Sequence, residues 1–136
     1  MQEDPKQREI ADKILASIQR EYGFIPVVNQ VLSTRPDLFI PAANMGRAVL
    51  GPDGALDLKT RYLCAIAAAT AVCGEYCIGV QTQHAIDAGA TKDEVLEAIV
   101  IGSYMAMTRS QSYAFRKYAE AFGIELSKTP VSEDES

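Results

Sequence analysis

The chain has no tryptophan, one histidine, three cysteines, no cluster of lysine and arginine, and no apolar run long enough to cross a bilayer. Each shortage excludes something. With a net charge of −5 and no basic patch, nucleic acid and anionic membranes are poor partners, because both demand a positive footprint. The longest apolar run, Tyr62 to Cys73, is broken at Thr70 and falls well short of the ~20 residues a membrane-spanning helix needs. Residues 1–9, "MQEDPKQRE", are polar throughout, so no secretory leader is expected and a cytoplasmic location is. An odd number of cysteines then fits a reducing compartment, where paired thiols are more often catalytic or metal-binding than structural.

The 136 residues suit one domain able to hold a core without disulfide staples. Strand alternation is also lacking, and helical periodicity takes its place, so the expected class is all-α. Asp4 and Pro5 start a first helix with Ile10, Ile14, Ile18 and Tyr22 on one face, and Gly23 ends it. Prolines in "GFIPVV" and "STRPDLFIP" place two short helices near 26–33 and 37–50, and "GPDG" at 51–54 marks a turn. An alanine-rich helix from about Asp57 allows close approach by its neighbours and is expected to be central. Gly89 closes the next helix, and Thr91 with Glu94 has the Thr-x-x-Glu spacing of a capping box. Val95, Ala98, Ile99 and Gly102 form that helix's inner stripe, while Phe115, Tyr118, Ala119 and Phe122 predict a separate last helix before Gly123. The expected domain is 1–126, with 127–136 a disordered acidic tail.

The chemistry is concentrated in "CGEYCIGVQTQH", Cys73 to His84, which holds two thiols, a carboxylate, a phenol and the histidine. In one continuous helix Cys73, Cys77, Gln81 and His84 would share a stripe, but seven residues put His84 roughly 10 Å along the axis from Cys77, too far for direct contact. Helical neighbours four apart have Cβ atoms ~5–6 Å from each other, whereas a relaxed disulfide wants ~3.5–4.5 Å, so a Cys73–Cys77 bridge needs local distortion. A break at Cys73–Gly74 supplies it. That break would put both cysteines in the first turn of a new helix, where open amides and the dipole favour a thiolate. The competing reading makes Cys64, Cys73 and Cys77 small apolar fillers of an alanine-rich core, Tyr76 a packing residue and Glu75 a solvated first-turn charge. Zinc would need four ligands, and two cysteines with one distant histidine do not supply them; neither a metal nor a cofactor is expected.

The segment "LDLKTRYLCAIAAATAVCGEYCIGVQTQHAIDAGATKDEVLEAI", with "YGFIPVVNQVLSTRPDLF" upstream, resembles the carboxymuconolactone decarboxylase and alkyl hydroperoxidase D family over roughly residues 22–100. The resemblance implies an alkyl hydroperoxidase D-like helical bundle that assembles into homotrimers or homohexamers. It also implies a redox pair at a helix start, with Cys77 attacking a hydroperoxide, Cys73 resolving the sulfenic acid, and an external dithiol resetting the pair. The family's first cysteine position holds Gly74 here, with Cys73 one residue earlier. Its glutamate and histidine relay positions hold Tyr62 and Gln81, leaving His84, one turn later, as the candidate proton donor. Two rival readings stand beside this one: a non-catalytic oligomeric scaffold or small-ligand binder, and an acid–base enzyme on a carboxylate substrate anchored by Arg47, Arg61 or Arg109.

Overall fold

The computed structural model describes residues 4–127, all of them helix or connecting loop, with six helices and no strand among the described residues. The tail expected at 127–136 lies, beyond Ser127, outside these residues. The chain divides between Leu58 and Lys59 into two compact units.

The first unit holds α1 (Pro5–Tyr22), α2 (Val27–Leu32) and α3 (Pro36–Leu50). The Asp4 side chain accepts from the Lys6 amide at 2.9 Å, satisfying an orphan donor at the start of α1. Gly23 closes the helix with φ 76°, a left-handed conformation glycine adopts without strain. Ala11 and Ile14 pack on Phe39, with Ile18, Leu32 and Ile40 around them. Ile10, expected on the buried face, is instead exposed, because the stripe is centred one residue further along, on Ala11. The Arg8 guanidinium donates to the Ser33 carbonyl at 3.0 Å, tying α1 to the residue that ends α2.

The second unit holds α4 (Leu58–Ala71), α5 (Glu75–Asp87) and α6 (Lys92–Ala121). Its core joins all three: Ile66 of α4, Ala85 of α5, and Val95 and Ala98 of α6, flanked by Tyr62, Leu63 and Ile99. The fully buried Ile66 side chain alone contributes roughly 1.5–3 kcal/mol of transfer free energy. Small residues let backbones meet. A Cβ placed on Gly102 would strike the carbonyl of Ala67, so α6 crosses α4 there at a separation only glycine permits.

The capping box at Thr91 and Glu94 is present in both directions, Glu94 N–H donating to Thr91 Oγ1 at 3.2 Å and Thr91 N–H to Glu94 Oε2 at 2.8 Å. The other carboxylate oxygen of Glu94 accepts from Lys59 Nζ at 2.8 Å, joining the first turn of α4 to that of α6. The separate last helix expected around Phe115 does not form. No proline or turn pair interrupts residues 103–114, and the hydroxyls of Ser103 and Ser112 bond back to the carbonyls of Ile99 and Thr108, so α6 runs unbroken for 30 residues.

The ammonium of Lys59, and next the Thr91 amide, hold the Glu94 carboxyl below the usual glutamate range. A depressed folded-state pKa contributes stability that is complete above the unfolded value and is lost as pH falls through the folded one. Thermal denaturation between neutral pH and pH 3 should therefore show wild-type stability falling more steeply than that of Glu94→Gln, with the gap between the two narrowing as the carboxylate protonates.

Candidate functional site

The break expected at Cys73–Gly74 is present, and its hydrogen bonds explain it. The Gly74 amide donates to the Ala69 carbonyl at 2.8 Å and the Cys73 amide to the Thr70 carbonyl at 3.2 Å, the paired bonds of a Schellman closure. Helices α5 and α6 close in the same way, each with a glycine in the left-handed position, Gly89 at φ 91° and Gly123 at φ 63°. At the end of α4 that position is Cys73, with φ 57°, and no other non-glycine residue among those described has a positive φ. A side chain there costs about 1–2 kcal/mol relative to an unstrained backbone. Strain of this size at a nucleophilic residue is a functional hint.

One expectation changes. Cys73 does not sit in the first turn of a new helix; the closure assigns it to the end of α4, and Gly74 is the N-cap of α5. Cys77 is the third residue of α5, among the amides that lack intrahelical acceptors, beside the exposed Glu75. All three cysteines are exposed free thiols, so they are not fillers of the alanine-rich core. Tyr76 is 55% exposed.

Backbone geometry at Gly74 bears directly on disulfide formation. A Cβ built there lies 3.7 Å from the Cys77 Cβ, inside the disulfide range of ~3.5–4.5 Å. Position 74 is thus pre-set to bridge to Cys77, and the native thiol stands one residue before it, at the strained hinge.

Below Cys77 on α5 come Gln81 and His84, four and seven residues on, so His84 is roughly 10 Å further along the axis and does not touch the thiol. The Gln81 Oε1 atom is buried without a hydrogen-bond partner among the described residues. His84 is half-buried and its ring meets that of Tyr62 from α4, centroids 5.1 Å apart and planes tilted by 51°. Sequence reasoning placed Tyr62 and His84 separately and missed this contact, since nothing in the local pattern links two residues on different helices. Of the three candidate anchoring arginines, Arg61 is half-buried on α4, whereas Arg47 on α3 and Arg109 on α6 are exposed. The described residues contain no cluster of three or more His, Cys, Asp or Glu arranged to hold a metal ion, and no helix among them is long and apolar enough to cross a membrane.

Among known proteins, the sequence profile of the Carboxymuconolactone decarboxylase family matches residues 36–120, which include α3 to α5 and nearly all of α6. No curated protein and no solved structure matches the chain.

The backbone reading has a direct check. Gly74→Cys should form a bridge to Cys77 on mild oxidation, seen as the loss of two hydrogens from the intact mass and as a linked 74–77 pair on fragmentation; a Cys77 that stays free in that variant would contradict the geometry.

Proposed function

The chain belongs to the carboxymuconolactone decarboxylase family, and from that premise we propose that it is a thiol-dependent peroxidase or disulfide reductase working through Cys77 and Cys73. The observation that carries this reading is the exposed Cys77 thiol in the amide-rich first turn of α5, next to a second exposed thiol on a strained helix closure. In this reading Cys77, in the first turn of α5, reacts as the thiolate. The thiolate attacks the terminal oxygen of a hydroperoxide; the O–O bond breaks, the alkoxide leaves and takes a proton, and Cys77 is left as the sulfenic acid. The Cys73 thiol then attacks that sulfur, forming the disulfide and releasing water. An external dithiol reduces the bridge by exchange, becoming a disulfide itself.

Strain at Cys73 favours this cycle in one respect. A bridge that needs the Cys73–Gly74 hinge to shift is less stable than a relaxed one and is more readily reduced. His84 cannot reach the sulfur directly, so its part is to hold or pass a proton lower on α5, against Tyr62, with Gln81 between it and Cys77. The buried Gln81 amide oxygen and the Tyr62 phenol stand where general-base help would be strongest, which favours a second reading, a small-ligand binder that turns over no peroxide.

Activity and trapping separate the two. With dithiothreitol as the reductant, the wild-type chain is expected to consume tert-butyl hydroperoxide and Cys77→Ser to lose that activity by at least about a hundredfold, the scale on which a lost nucleophile is felt. Cys73→Ser should leave a sulfenic acid on Cys77 that dimedone captures. Equal consumption by wild type and Cys77→Ser would remove the proposal.

We also propose that the chain works as a homo-oligomer, a trimer or hexamer. Within the second unit, α6 leaves Val100, Ile101, Tyr104 and Phe115 more than half exposed, and in the first unit Val27, Val31 and Met45 are exposed by more than 60%. Apolar surface on this scale marks protein contacts. Light scattering on the eluting protein should give a mass of three or six chains, and a monomer at micromolar concentration would contradict this part of the account.

A further inference from the structure

We propose that a groove between the end of α4 and the middle of α6 is a binding site for a small organic anion with an apolar body, such as a medium-chain carboxylate. The groove is a largely open one of about 800 Å³, lined by Val72, Met105, Arg109, Ser110, Tyr113 and Arg116, all of them exposed, among others. That volume falls in the range typical of small-molecule sites, ~300–1,000 Å³. Residues 105, 109, 113 and 116 follow helical spacing, so one face of α6 presents methionine, arginine, tyrosine and arginine in succession. The site lies wholly in the second unit and does not depend on Cys77 chemistry.

Charge selects the occupant. The guanidinium groups of Arg109 and Arg116 make no ion pair or hydrogen bond among the described residues, whereas Arg8, Lys13, Arg35, Lys59 and Lys117 each face a carboxylate. Between Glu97 and Glu120 the sequence holds no Asp or Glu, and Glu120, one turn past Arg116, pairs with Lys117 instead. Seven residues apart, the two arginines are roughly 10 Å apart along the axis and bracket Tyr113, whose hydroxyl and that of Ser110 are also unengaged. Two forked cations and two hydroxyls over an apolar floor match a carboxylate head with a hydrocarbon tail. The orientation follows from α4, whose carbonyl end repels an anion. Hydrocarbon therefore lies against Val72 and Met105, and the head lies between the arginines. Val72 directly precedes Cys73, so the tail of the ligand points to the α4 closure.

Octanoate and octan-1-ol, titrated into the isotopically labelled full chain, provide the test. Octanoate is expected to shift the amide resonances of Val72 and of residues 105–116, to bind more tightly than the alcohol, and to lose about tenfold or more in affinity in the double variant Arg109→Gln/Arg116→Gln, the scale of charge-assisted hydrogen bonds. Shifts confined to other residues, equal binding of acid and alcohol, or undiminished affinity in a folded double variant would each overturn the proposal. Should the double variant not fold, the shift map and the acid–alcohol comparison on the unaltered chain decide. If octanoate fails to bind and the double variant changes the oligomer mass, the groove is a contact between copies of the chain and the proposal is wrong.

Discussion

A single helix closure organises the chemistry of this chain. The amide of Gly74 turned back onto the carbonyl of Ala69 stops α4, forces Cys73 into the left-handed region and lets α5 begin at Glu75. Without that bond α4 and α5 would merge, and Cys77 would sit in the middle of a long helix whose amides are all engaged. With it, Cys77 lies in the first turn of α5, and the second thiol stands on the hinge that precedes the helix. The separation of 3.7 Å between the Cys77 Cβ and a Cβ built at Gly74 shows how near the backbone comes to a disulfide geometry.

The surroundings of the closure fix its position. Ile66 and Tyr62 anchor α4 in the core of the second unit, Ala85 anchors α5, and Val95 and Ala98 bring α6 against both. Gly102 lets α6 meet the Ala67 backbone, and the Lys59–Glu94 pair ties the starts of α4 and α6. The same approach of α6 to α4 creates the arginine-lined groove next to Val72. Thiols and groove thus depend on one packing arrangement, although the chemistry of each is separate.

Much of this was legible in the residues. Pro5 and Gly23, the prolines around α2 and α3, and the Thr91–Glu94 box are local signals whose physics acts within a few positions, and the helix ends they mark are where the structure has them. What escaped was non-local or conformationally unusual. Cys73 could not be read as a helix terminator, because glycine normally fills that position and the glycine present is one residue later. The length of α6 was obscured by Ser103, Thr108 and Ser112, weak helix formers whose hydroxyls are satisfied by carbonyls of their own helix. The Tyr62–His84 ring contact and the pairing of α6 arginines with the end of α4 depend on tertiary packing that no periodicity encodes.

In the proposed peroxidase, Tyr62 and Gln81 at the relay positions would leave activation to the helix start itself. The site is then a minimal one, two exposed thiols and a backbone, with His84 held apart against Tyr62. Peptide mapping of the fully reduced chain after one equivalent of hydroperoxide, without oxygen, tests this most directly. A Cys73–Cys77 linkage with Cys64 left as a thiol is the expected result; three untouched thiols, or oxidation that begins at Cys64, would overturn the proposed cycle.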